Sequence, residues 1–324
     1  MVKAPDPLAD VDHGDFGDSR PARGQTTDRL YRLGALALSA GFVERMHAYI
    51  LPALAREGFA EGRNWSWRSA PGPPQSFRRW PKSWSRPSLT RSSPMAQLPF
   101  VRSERPLPLS RPLGRLSADP IAAGFAASLA RPGGNITGVV MLAPELDAKR
   151  LDLFHQVVLT ARRVAVLGTS ATQSEENLAA VREVAEALGL DLVAVYAEFP
   201  AEYPAAFAVM RSAGAERPAI LSAPDFFINA STLAALALEA RLPTVCEWRK
   251  MADQGCLLGY GPDIAELNRR IANYVARIFR GAFPGDLPME QPTHFELAVN
   301  LKTAKALGLA IPPAILARAD DVIE

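Results

Sequence analysis

The sequence predicts an α/β protein of doubly wound parallel sheets, and three observations carry that prediction. Its 324 residues suit about two domains. From residue 137 onward, short apolar runs alternate with segments whose apolar residues recur at helical spacing. The loops between them are short and rich in Gly, Pro, Ser and Asp. Alternating strand and helix with short connections implies a parallel sheet covered on both faces. The apolar content of 48% suits a sizeable core.

The first unit is a strand over Tyr31–Leu38, a turn at Ser39-Ala40-Gly41 and a helix over Phe42–Glu57. Met46, Ile50 and Leu54 share one face of that helix, Pro52 is a cost within it, and Gly58 to Asn64 closes it. After the gap described below, Ala118–Val140 reads as a joint between two lobes. Asp119 N-caps a helix that starts at Pro120 and carries Ile121, Phe125 and Leu129 inward. Arg131-Pro132-Gly133-Gly134 stops it, and Asn135–Val140 resumes as a strand. Helices follow over Pro144–Val158, Ser174–Leu188, Tyr203–Ala213, Thr232–Arg241, Ile264–Arg280 and Leu301–Leu307. Strands alternate with them over Arg163–Leu167, Leu190–Tyr196, Pro218–Ser222, Pro243–Cys246, Cys256–Tyr260 and Phe295–Val299. Ile311–Ile323 is a tail with one more short helix.

Residues 66 to 117 break this pattern. Eleven Ser, ten Pro and nine Arg fill 30 of 52 positions, and four of the five tryptophans lie between Trp65 and Trp84. The stretch carries a formal charge of +9 inside a chain of +2, so the remainder is mildly acidic at −7. A disordered linker and a basic, aromatic-interleaved nucleic-acid segment are two readings of it. A third fits better: Arg, Pro, Ser and Trp are what high-GC coding DNA yields in the wrong frame. One legal set of codons for Gln75–Ala96, read with two bases dropped, gives ELPALAEELVAAEPDAVIAHG. That string is an amphipathic helix, a Pro-Asp turn, a strand and a His-Gly loop, which is the αβ unit this region lacks. Residues from about 71 to 117 are therefore expected to be frameshifted and irregular or disordered.

Several classes of chemistry find no support. The four histidines, His13, His47, His155 and His294, have no metal spacing, and no GxSxG elbow, P-loop or strand-borne GxGxxG is present. Two cysteines, Cys246 and Cys256, are not a disulfide framework, and they read as two small buried apolar residues. A racemase with facing cysteines would place one in each lobe, whereas these lie in adjacent segments. No cofactor and no enzymatic activity are expected. No apolar run is long enough to span a membrane, and Met1–Asp28 lacks the apolar core of a secretory signal. Residues 1–29 read as a disordered tail or the product of an incorrect start codon.

In a doubly wound sheet, ligands bind beyond the carboxyl ends of the strands. Those ends supply Ser39, Thr169, Ser170, Asp225, Phe226, Glu247, Trp248, Tyr260 and Asp263. Hydroxyls, three carboxylates and aromatic faces suit a small polar ligand with an amino group and a flat or apolar part. Helix N-termini after Ser39 and Thr169 could hold its carboxylate. The plainer role of each residue is a helix or turn cap, or, for the rings, core.

Seven motifs carry a resemblance: DPIAAGFAASLARPGGNITGV (119–139), ELDAKRLDLF (145–154), ARRVAVL (161–167), APDFF (223–227), PTVCEWR (243–249), GCLLGYGPD (255–263) and the C-terminal run from Leu287 to Glu324. With them the chain resembles the substrate-binding proteins of ABC transporters, in a bacterial group of type I periplasmic binding folds. The likeness covers 118–324, returns more weakly over Tyr31–Gly72, and vanishes between. It implies two Rossmann-like lobes with parallel sheets, joined by three crossovers and closing on a ligand like a hinged clamp. Residues 30–142 and 256–290 would form the first lobe, and 143–255 and 291–324 the second. It further implies a monomer that delivers a small molecule, such as an aromatic amino acid, to an inner-membrane ABC permease, without chemistry and without nucleic acid. Asp119, Thr169, Ser170, Asp225, Tyr260 and Asp263 fall where relatives line the cleft. The family location is periplasmic, while the missing signal leaves cytoplasmic retention open. A ligand-sensing regulator on the same fold is a further alternative. It would need an N-terminal helix-turn-helix, which residues 1–28 do not offer.

Overall fold

A computed structural model describes residues 31–37, 46–71, 99–102, 111–116, 119–122, 124–141, 143–170, 172 and 175–324. They form two sheets. The first holds β1 (Tyr31–Ala37), β2 (Trp65–Pro71), β3 (Pro99–Arg102), β4 (Arg111–Leu116) and β5 (Thr137–Val140) in the order β2-β1-β3-β4-β5. A π-helical turn at Met46–Ile50 runs into α1 (Leu51–Arg56), with Met46, Ile50 and Leu54 buried as their spacing predicts. Pro52 is the second residue of α1, directly after the π-helical turn, so its ring and missing N–H fall where the helix changes from π to α geometry.

The chain then builds the second sheet. Its elements are α2 (Ala143–Val157), β6 (Arg163–Gly168), α3 (Glu175–Ala187), β7 (Asp191–Tyr196), α4 (Tyr203–Ser212), β8 (Arg217–Ile220), α5 (Pro224–Ile228), α6 (Ala230–Glu239), β9 (Val245–Cys246), α7 (Arg249–Asp253) and β10 (Leu258–Pro262). α8 (Ile264–Phe279) returns to the first sheet and packs on α1, and β11 (Phe295–Asn300), α9 (Leu301–Leu307), α10 (Pro313–Leu316) and β12 (Asp321–Ile323) complete the second. The order there is β12-β11-β10-β9-β8-β6-β7. Only the β10–β11 pair is antiparallel. β6, β8 and β9 are buried almost throughout, whereas edge strand β7 is largely exposed. That is the burial expected of a parallel sheet covered on both faces.

Four expectations need correction. The helix predicted from Asp119 to Leu129 is instead a chain of turns. Asp119 does accept the Ile121 N–H at 2.8 Å, but Gly124, at φ +73°, ends the first turn. Its N–H goes to the Ile121 carbonyl and that of Phe125 to Pro120, a helix-terminating pattern after a single turn. Second, Pro99–Arg102 and Arg111–Leu116, inside the stretch expected to be irregular, are strands, because β1 and β5 offer them ladder partners on either side. Third, the lobe division implied by the resemblance puts β10 in the first lobe, yet it is hydrogen-bonded between β9 and β11 of the second sheet. The return crossing therefore lies after Pro262, at Asp263. Fourth, Cys246 and Cys256, both fully buried, are joined in a disulfide across ten residues rather than packed as separate thiols.

Two cores result. One lies under α4, α6 and α8 and also takes in Met46, Leu54, Phe59 and Trp65. The other lies between α2, α3 and the opposite face of the second sheet. Trp65 fixes the first sheet to α8: it is fully buried, donates its indole N–H to the Phe59 carbonyl at 3.0 Å, and lies 6.0 Å from the Phe279 ring.

Candidate functional site

The second sheet reverses direction between β6 and β8, since β7 is added on one side of β6 and β8 on the other. The crevice at such a switch point is where doubly wound sheets hold ligands. The exits of β6, β8, β9 and β10 bring together most of the residues singled out from sequence. Thr169 and Ser170 follow β6. Thr169 is buried, and its N–H donates to the Thr172 hydroxyl at 2.8 Å, while the exposed Ser170 donates its N–H to Glu198 at 2.5 Å. Asp225 opens α5 after β8 and is half-buried. Burial, and secondarily the nearby Glu198, raises its carboxyl above the ordinary range.

Phe226, next along, is 1% exposed and stands edge-on to Tyr203, so its ring belongs to the core. Burial, with Asp225 second, pushes the Tyr203 phenol up to about 12. Phe227 is half-buried and edge-on to Trp248, 6.3 Å away, at the exit of β9. Glu247 and Tyr260 are half-buried, and Tyr260 stacks on Phe295 with centroids 6.0 Å apart. Asp263 is committed to capping, for it accepts from the Ala265 and Glu266 N–H groups at 2.7 and 3.1 Å. Asp119 lies in the first-sheet turn, exposed, with its carboxylate on Ile121. Ser39 lies outside the described residues.

Glycine shapes this rim. A Cβ on Gly259 would fall 2.4 Å from the Trp248 carbonyl oxygen, and one on Gly261 would fall 2.1 Å from that of Glu247. The Gly-Tyr-Gly run of β10 therefore lets the β9 exit lie directly across it.

Sequence reasoning missed the group beneath. Asp147 and Arg150 of α2 are both buried, and Arg150 is 1% exposed. Arg150 donates to Asp147 at 2.5 Å and, through the same nitrogen, to the Ser222 hydroxyl at 3.0 Å. Its Nε donates to the Tyr260 carbonyl at 2.6 Å and its second terminal nitrogen to that of Glu247 at 3.4 Å. The available signal was that Asp147 and Arg150 share a helical stripe with Leu151 and Phe154, charge where an apolar residue belongs.

The crossings between sheets gather at the same end. The chain leaves β5 after Val140, returns at Asp263, and comes back along 291–294 after Glu290 has paired beside β5. Asp263 N–H donates to the His294 carbonyl at 3.2 Å, tying two crossings together. Arg270 binds Glu266 at 2.6 Å, Glu290 at 3.1 Å and Thr293 at 2.9 Å. His294 lies 2.8 Å from Glu266.

This arrangement has known counterparts. The model of a family described as "ABC transporter substrate binding protein" matches residues 112–323. The chain is 23% identical over 195 residues to a tyrosine-binding protein of Clostridioides difficile strain R20291. That alignment covers 59% of this chain and 55% of the other, so it spans about half the length of that relative. A conserved domain protein of Vibrio cholerae O1 biovar El Tor superposes with a TM-score of 0.70 at 18% identity, covering 89% of this chain and 97% of its own. An ABC domain from Streptococcus pneumoniae in complex with L-Trp gives 0.68 at 18% identity, covering 88% and 97%. These structures share the type I periplasmic-binding fold with this chain. With roughly two thirds of its length matched, this chain belongs to the ABC transporter substrate-binding protein family.

Proposed function

We propose that the protein is the solute-binding component of an ABC importer, and that it captures a small amino acid or aromatic compound between its two sheets for delivery to a permease of the inner membrane. The observation that carries this is the convergence of Thr169, Ser170, Asp225, Glu247 and Tyr260 on one sheet end, at the switch point and beside all three crossings. A half-buried carboxylate at Asp225 suits an ammonium group, and the half-buried Phe227 and Tyr260 supply rings for a flat or apolar part, with Trp248, 4% exposed, backing Phe227 from the core. The relative named for tyrosine and the neighbour holding L-Trp support an aromatic amino acid as the first ligand to try. The Cys246–Cys256 disulfide supports a periplasmic location, because such bonds persist in oxidising compartments. It also weighs against a racemase, which would need both thiols free. The protein works as a monomer and without nucleic acid.

In this reading the chain as written is impaired. A ligand stabilises the closed form only by touching both lobes, so a damaged first sheet weakens capture. β3 runs antiparallel to both β1 and β4. An intact αβ unit, of the kind encoded in the alternative frame, would place a parallel strand there. Resequencing the codons for residues 65–120 should reveal two compensating insertions or deletions. By calorimetry, a frame-restored chain is expected to bind L-tyrosine or L-tryptophan, and the present chain is not. Micromolar binding by the present chain would remove the impairment, and no binding of either probe by the restored chain would overturn the proposed ligand class.

A further inference from the structure

We infer that Arg150 is the positioning residue of the site: its buried guanidinium fixes the mutual spacing of the β8, β9 and β10 exits on which the candidate ligand-facing residues stand. The inference rests on the reading of those exits as the ligand-facing end of the sheet.

The geometry is that of a clamp. One planar group reaches three consecutive strands of the sheet: the Ser222 hydroxyl just beyond β8, the Glu247 carbonyl at the β9 exit and the Tyr260 carbonyl within β10. Asp147, one helical turn earlier, holds the guanidinium from the helix side and lies 3.4 Å from the same Ser222 hydroxyl. A guanidinium suits this task because its donors have a fixed fork, whereas a lysine ammonium would reach one carbonyl at a time. Gly261 belongs to the device. A Cβ there would meet the Glu247 carbonyl at 2.1 Å and stand 3.6 Å from Arg150, so glycine leaves the path between them open. Asp225, Phe227, Glu247, Trp248, Tyr260 and Asp263 lie at or within a few residues of the clamped points.

Stability alone is a weak ground for this arrangement. Taking two charges out of water costs more than their attraction commonly returns, and apolar side chains of similar volume often serve a fold as well or better. At Asp147 desolvation is the largest influence. Burial, opposed by Arg150 and reinforced by the Glu247 carboxylate, pushes its carboxyl up to about 6. The charged groups facing it are Arg150 on its own helix and Glu247 from the β9 exit, with the Ser222 hydroxyl from β8. A folded-state value above the ordinary 3.8 means that the native site binds a proton more tightly than an opened one. Ionisation therefore favours opening, and acidification through pH 6 should tighten the clamp. Whatever the pair contributes to stability, a buried group that touches three strand exits sets their mutual geometry.

Amide exchange on the full chain tests this without any ligand, so it is decided whether or not a solute is ever found. In Asp147→Leu/Arg150→Met the thermal midpoint should stay near or above that of the wild type. Exchange at 222–226, 247–249 and 260–263 should quicken by about tenfold or more, with β6 amides unchanged. Arg150→Lys should fall between the two. In the wild type, corrected for intrinsic rates, protection of these exits should deepen from about pH 7 to about pH 5, and Asp147→Asn should lose that step. Exits that exchange as in the wild type, quickening spread evenly into β6, or a double variant that unfolds would each overturn the positioning role. A flat wild-type profile would remove Asp147 from it.

Discussion

The two sheets solve the same problem with different material. In the second, the four consecutive parallel pairs from β7 to β10 are joined through helices, and the central strands are buried on both faces. In the first, β3 lies between β1 and β4 and runs against both, and among the described residues no helix falls between β2 and β4. Parallel neighbours need a crossover of a dozen residues or more, usually a helix. A stretch in which 30 of 52 residues are Ser, Pro or Arg offers no apolar stripe for one. An antiparallel strand fills a place in a sheet without that requirement. The difference teaches that a backbone ladder can be completed by almost any sequence, whereas a packed layer cannot.

The largest expected effect falls where the two regions meet. Trp65→Ala removes a fully buried ring from between the first sheet and α8, and should cost about 3–5 kcal/mol. If the sheets are as unequal as described, calorimetry should show a low-temperature transition split from that of the second sheet. One undivided transition would mean that they melt as a unit. Next comes the disulfide inside the well-built region. Cys246→Ala with Cys256→Ala, or a scan in reductant, should lower stability by about 2–4 kcal/mol. An unchanged melting curve would exclude the bond. Gly261→Ala forces the Glu247 carbonyl aside and should cost about 1–3 kcal/mol, with Gly308→Ala, which has open space around it, as a strain-only control. Equal losses would argue against a steric role for the rim glycine.

The smallest effect concerns the crossings. Hydrogen bonding to Arg270, chiefly, holds Glu266 below its ordinary 4.5. A depressed carboxyl stabilises the fold above its unfolded value and ceases to do so as pH falls through the folded one. Glu266→Gln should therefore cost less than about 1 kcal/mol near neutrality and nothing well below pH 4.5. A loss that persists in acid would assign the effect to packing.

Much of the chain after Thr137 was legible because its signals are local. α8 shows this best: Asp263 caps it, and Leu267, Ile271, Tyr274, Val275 and Ile278 repeat at helical spacing and are all buried. The joint after Asp119 was misread for an equally physical reason. Its apolar residues have helical spacing, but Gly124 adopts a positive φ that ends the turn, and spacing alone does not report a dihedral. α5 and α7 escaped notice because helices of five residues are too short to show a period. Strand exits could be named from sequence, so Thr169, Ser170, Asp225, Glu247 and Tyr260 emerged as a set. Which of them faces a crevice could not be named: Phe226 turned into the core, and Asp263 spent its carboxylate on a cap.

The sequence by itself determined the class of fold, the alternation that builds the second sheet and the family resemblance, because hydrophobic period and turn chemistry are properties of neighbours along the chain. Only the tertiary structure decided that β10 belongs with β9, that Cys246 meets Cys256, and that Arg150 reaches three strands at once. Those are contacts between residues from ten to more than a hundred positions apart. They depend on how layers pack, which no local pattern encodes.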